Sequence, residues 1–124
     1  MSSTPLGTAA LNLLHASPDL VVNLVAPLLT AESRDTDMIA AVALAYARTQ
    51  RSLEAKHWFN RLFQLLPEDV EVAVCLAESA IDSLDPAIAV TALERAFALD
   101  KAAETPAGRR ARILAFKLEK QLNR

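Results

Sequence analysis

The sequence predicts an all-α chain organised as a helical solenoid, about three helix pairs in a row followed by one terminal helix. Three observations predict it. Alanine occurs 24 times and leucine 20 times among 124 residues, against 2 glycines. Small and straight-chain residues lose little freedom in a helix, whereas glycine loses most. Apolar residues recur at spacings of three and four and never settle into an alternation of two. The apolar pattern itself returns at one constant long interval, the mark of a repeat in which each unit buries its faces on its neighbours.

Helix starts are written in proline. Thr4-Pro5, Ser17-Pro18, Asp85-Pro86 and Thr105-Pro106 each join a capping side chain to a proline at the first helical position, where the missing N–H costs nothing. Ser52 marks another start, and Pro67-Glu68-Asp69 places acids at the positive end of a helix dipole. Helices are expected over 5–15, 18–30, 37–49, 53–65, 69–83, 86–100 and 106–122. Pro27 falls inside the second and should kink it or end it early, because it deletes a backbone bond. No stretch reads as a strand.

Ala55, Phe59, Leu62 and Pro67 superpose on Ala89, Leu93, Ala96 and Lys101 at a spacing of 34, and Val42, Ala43 and Tyr46 superpose on Leu76, Ala77 and Ala80. Val21, Val25 and Leu28 fall into the same register one step earlier. The whole chain, 1–124, is expected to be one domain, dividing into 2–35, 36–69 and 70–103 plus the helix 106–122. This pattern resembles the tetratricopeptide repeat. Residues 36–69 match best, with Tyr46, Ala55, Phe59 and Pro67 at signature places. Ile39, Val42 and Ala43 stand where the family prefers tryptophan, leucine and glycine. Repeat 70–103 keeps Ala89 and Ala96 but carries Leu93 for the aromatic and Lys101 for the proline, while 2–35 keeps only size and polarity. Tyr46, Phe59, Leu62, Leu76, Ala89 and Leu93 are the expected core.

The resemblance implies a right-handed solenoid whose first helices line a concave groove. Its residues would be Ser3, Leu6, Gly7, Ala10, Leu13 and Leu14 in the first repeat. In the second they would be Asp37, Ala40, Ala41, Leu44, Ala47 and Arg48, and in the third Glu71, Val74, Cys75, Glu78, Ile81 and Asp82. Such a groove has a small-sided apolar floor and an acidic rim. Relatives that grip a C-terminal carboxylate, the heat-shock cochaperones, use lysine, arginine and asparagine at the places held here by Leu6, Ala10, Ala41, Glu71 and Cys75. That clamp is absent. The expected occupant is an apolar or amphipathic segment of another protein, helical or extended, with basic residues meeting the rim. The small repeat chaperones of bacterial secretion systems are similar in length and charge. A subunit that associates with itself as a homo-oligomer is the alternative.

Other functions lack residues. His15 and His57 lie more than a repeat apart with no third ligand spaced for a metal, so no metal or other cofactor is expected. Cys75 has neither a basic neighbour in the adjacent turn nor a histidine in its repeat, and reads as a small hydrophobe. Glu68/Asp69 and Asp82/Asp85 sit at helix ends, where capping and solvated carboxylates are ordinary. Gly7 and Gly108 stand alone, so there is no phosphate-binding loop. The chain is therefore not expected to be an enzyme. The net charge of −2 argues against general nucleic-acid binding. It is unevenly spread: 106–124 carries +5 and 1–105 carries −7. No aromatic side chain interleaves Arg109, Arg110 and Arg112 for base stacking. No apolar run is long enough for membrane insertion, no basic leader precedes the first helix, and the lone cysteine suits a reducing compartment, so the cytoplasm is expected. Helix 106–122 has one apolar stripe, Ala111, Leu114, Ala115, Leu118 and Leu122, and its expected role is to cap the array. Ile113 and Phe116 stand off that stripe.

Overall fold

A computed structural model describes residues 4–123, and among them all regular structure is helical. The chain forms two compact units, Met1–Leu65 and Leu66–Arg124.

In the first unit, α1 (Pro5–Ala16) starts where Thr4 Oγ1 accepts the Gly7 N–H at 2.9 Å. A Cβ on Gly7 would meet the Asp37 Cβ at 2.8 Å, so the missing side chain is what lets α1 approach the start of α3. The second element differs from a plain helix over 18–30. A short α2 (Pro18–Leu20), capped by Ser17, runs on as a π-helical turn over Val21–Val25 and a 3₁₀ turn over Ala26–Leu28. Pro27 is the physical reason. It has no N–H for the carbonyl of Asn23 and its ring crowds that carbonyl, so the ladder widens before it and stops after it. The Ala26 N–H reaches back to the Val21 carbonyl. Next come α3 (Thr36–Arg48), capped by Asp35, and α4 (Ser52–Leu65). Ala10, Leu14, Val21, Val25, Met38, Ala41, Val42 and Ala45 form one buried cluster. Phe59 and Leu62 of α4 are buried as expected.

The second unit holds α5 (Val70–Asp82), α6 (Pro86–Leu99) and α7 (Pro106–Leu122), with α7 packed on both others. Leu76, Ala89 and Leu93 are buried as the spacing predicts. Alanines 73, 77, 80, 89, 92, 96, 107 and 111 are all nearly inaccessible. Side chains this small bring helix axes toward the short end of the usual separation, about 8–10 Å.

One turn is built twice, once in each unit and at the interval of the apolar repeat. After α3 the Arg51 N–H bonds the Tyr46 carbonyl at 2.8 Å, and after α5 the Asp85 N–H bonds the Ala80 carbonyl at 2.8 Å. Gln50 (φ 64°) and Leu84 (φ 60°) take the left-handed conformation between them. This is the Schellman stop, made here without the usual glycine. The Thr49 hydroxyl donates to the Ala45 carbonyl and the Ser83 hydroxyl to that of Ser79. Arg61 Nε donates to the Ser33 carbonyl and, one repeat later, Arg95 Nε donates to that of Pro67. Asp35 and Asp69 cap α3 and α5 at the same interval.

The turn before α7 is different. The Asp100 carboxylate accepts the Thr105 hydroxyl at 2.6 Å and the N–H groups of Thr105 and Glu104 at 2.9 and 3.0 Å. These bonds, the Thr105 hydroxyl foremost, hold Asp100 below its usual carboxylate range. Gly108 lies directly against this carboxylate and has no room for a Cβ.

Two burial expectations need correction. Tyr46 is half-buried rather than core, because it ends α3 beside the turn, with the Arg51 guanidinium 5.1 Å from its ring centre. On α7 the stripe closes over Ala111, Leu114 and Leu118, but Leu122, in the last turn, is 54% exposed.

Candidate functional site

Within the first unit the expected groove residues separate into two groups. Ala10 and Ala41 are at most 1% exposed, packed into the α1–α3 contact, and Gly7 and Leu14 are buried with them. Leu6 is 49% exposed, Leu13, Asp37, Ala40 and Leu44 are half-buried, and Ala47 and Arg48 face solvent. The accessible surface is therefore a shallow apolar strip along α1 and α3. Leu6 and Leu13 lie on one side of it and Ala40 and Leu44 on the other, with charge at Asp37 and Arg48. Ser3 lies outside the described residues.

The second unit brings Glu71, Cys75, Glu78 and Asp82 onto one face of α5, as their spacing requires. Val74 and Ile81 turn inward and are buried, so neither offers an open floor. The acidic face is occupied by the basic helix. Arg110 reaches Glu71 at 2.7 Å and Glu78 at 3.5 Å, Lys117 reaches Asp82 at 3.2 Å, and Gln121 Nε2 donates to the Ile81 carbonyl at 3.2 Å. All these charged side chains are substantially exposed, so each pair contributes only about 0–1 kcal/mol. Their effect is on orientation and on the field: the acidic rim of α5 is neutralised from within the unit.

Cys75 is half-buried, with its Sγ 3.8 Å from Glu71 Oε1. Burial, then the Glu71 charge, pushes the thiol up to about 11, while Arg110 pulls the other way. At pH 7.5 the reactive thiolate is scarce, so alkylation by iodoacetamide should run well below the rate for free cysteine and rise steadily to pH 10. A plateau in the alkylation rate near pH 8 would contradict that ordering.

One feature has only a partial trace in the sequence. Between α6 and α7 an open apolar pocket of about 310 Å³ is walled by Val90, Leu93 and Phe97 on one side and Ala115, Leu118 and Leu122 on the other. It runs on into a second pocket of about 220 Å³ where Phe97, Arg112 and Phe116 meet. The signal was available in Val90, Leu93 and Phe97, whose helical spacing makes a broader apolar face than one neighbour covers. In the first unit a smaller polar pocket lies beside His57 and Trp58, whose rings meet edge to face at 4.9 Å. Among the described residues no three His, Cys, Asp or Glu side chains converge, and no helix is long and apolar enough to cross a membrane. Comparison with known proteins matched no family model, no curated protein and no solved structure.

Proposed function

We propose that this chain is a tetratricopeptide-like interaction module, a non-enzymatic adaptor or chaperone that holds an apolar or amphipathic segment of a partner protein. The observation that carries the reading is the turn built twice at the repeat interval. The same Schellman stop, the same hydroxyl bond and the same arginine-to-carbonyl tie recur together, as they would in a solenoid of helix pairs. On this reading the partner lies along the accessible strip of Leu6, Leu13, Ala40 and Leu44 in the first unit. Buried Ala10 and Ala41 hold the helices beneath it together. The neutralised face of α5 favours apolar contact over attraction of a strongly basic tail.

Leu44→Glu tests this, because Leu44 is only half-buried and can point a carboxylate outward. Affinity capture with the wild type and the variant in parallel should lose the bound partner from the variant. A loss of at least about tenfold corresponds to one desolvated apolar contact replaced by charge. The helical circular dichroism signal should stay unchanged. A partner retained equally by both proteins would place the site elsewhere.

A further inference from the structure

The geometry points to a second copy of this chain as the occupant of the α6–α7 groove, with each copy inserting Ile113 and Phe116 of its α7 into the groove of the other. This surface is separate from the strip proposed above and stands or falls independently of it.

The groove and the insert lie on the same helix. α7 turns Leu118 inward, offers Ala115 and Leu122 to the groove, and leaves Ile113 and Phe116 each 68% exposed. Large apolar side chains so far exposed, beside an open apolar pocket, make one contiguous patch of the kind that marks an interaction site. Phe116 itself lines the upper end of the groove, so knob and hole are adjacent. A two-fold contact needs that arrangement: one patch carrying both complementary halves, with residue i meeting j and j meeting i. A foreign helix laid in the groove would cover Leu122 and Val90 but leave Ile113, on the far side of α7, in water. A second α7 covers both in one contact.

Charge points the same way. The main pocket is flanked by Glu94 on α6 and Glu119 on α7, both exposed. The insert is flanked by Arg112 and Lys120, also exposed. When the insert of one copy enters the groove of the other, basic side chains arrive at an acidic rim twice over. Such complementarity fixes register and partner more than it adds affinity.

Sedimentation velocity over a wide concentration range is the test, with the wild type, a Phe116→Asp variant and a pair of charge-reversed variants. The wild type should show a concentration-dependent monomer–dimer equilibrium. Phe116→Asp should weaken it at least about thirtyfold, the loss of a hot-spot side chain, with the helical signal unchanged because Phe116 packs little within its own unit. A variant carrying Glu94→Lys and Glu119→Lys has a basic groove and a basic insert. One carrying Arg112→Glu and Lys120→Glu has both acidic. Each alone should stay monomeric, and a mixture of the two should form heterodimers. A monomeric wild type, an undiminished Phe116→Asp dimer, or a mixture that fails to pair would each overturn the proposal.

Discussion

Removal of residues 106–124 is expected to leave a chain that melts at lower temperature and aggregates. α7 buries Ala107, Ala111, Leu114 and Leu118 against α5 and α6. Taking a leucine out of water contributes about 1.5–3 kcal/mol, so the two leucines alone amount to roughly 3–6 kcal/mol. That is comparable with the entire stability of many small domains. The truncated unit would also show the inner faces of Leu93 and Ile81 to water. The ion pairs to Glu71, Glu78 and Asp82 matter less, being exposed. A thermal melt followed by circular dichroism, with sedimentation to detect aggregates, separates this outcome from its opposite. A truncated protein as stable and monodisperse as the full chain would mean that α7 is a passenger on a unit that folds without it.

Ala41→Glu is expected to unfold the first unit, in contrast to Leu44→Glu one helical turn away. Ala41 has no accessible surface and sits in the cluster of Ala10, Leu14, Val21 and Val25. A glutamate there overfills a close helix contact, at about 1–3 kcal/mol. It also places a carboxylate among aliphatic side chains, at a cost on the order of 3–5 kcal/mol for an uncompensated buried charge. Urea denaturation should show the midpoint collapsing for Ala41→Glu and moving little for Leu44→Glu. The pair works as a control: lost partner binding with Leu44→Glu is a surface effect, whereas with Ala41→Glu it follows from unfolding. Equal midpoints for the two variants would mean that the α1–α3 contact is not the tight one described.

The groove assignment shows why position in a repeat does not translate directly into exposure. Ala41 and Leu44 are both on the face expected to line the groove, yet one is sealed and the other open. The difference is α1, whose Gly7 and Ala10 let it settle onto Ala41 but not as far as Leu44. Likewise Glu71, Glu78 and Asp82 read as an acidic rim facing a partner. Their partners prove to be Arg110 and Lys117, two helices further along the same chain.

Helix identity was a property of the sequence alone, because its causes are local. A capping oxygen close to its N–H, a proline at the first helical position and the helical apolar period act within one or two turns. Thr4, Ser17, Asp85 and Thr105 all cap the helices they announce. The repeat interval was also visible, since it is carried by residue types at fixed places. What the sequence could not decide was which apolar face each helix covers and which it leaves open. Val90, Leu93 and Phe97 have the same character whether buried or facing water, and only the position of α7 leaves them as one wall of an open groove. The local code specifies each helix's amphipathic face, but exposure is a difference between that face and its neighbours, and it exists only once the helices have packed.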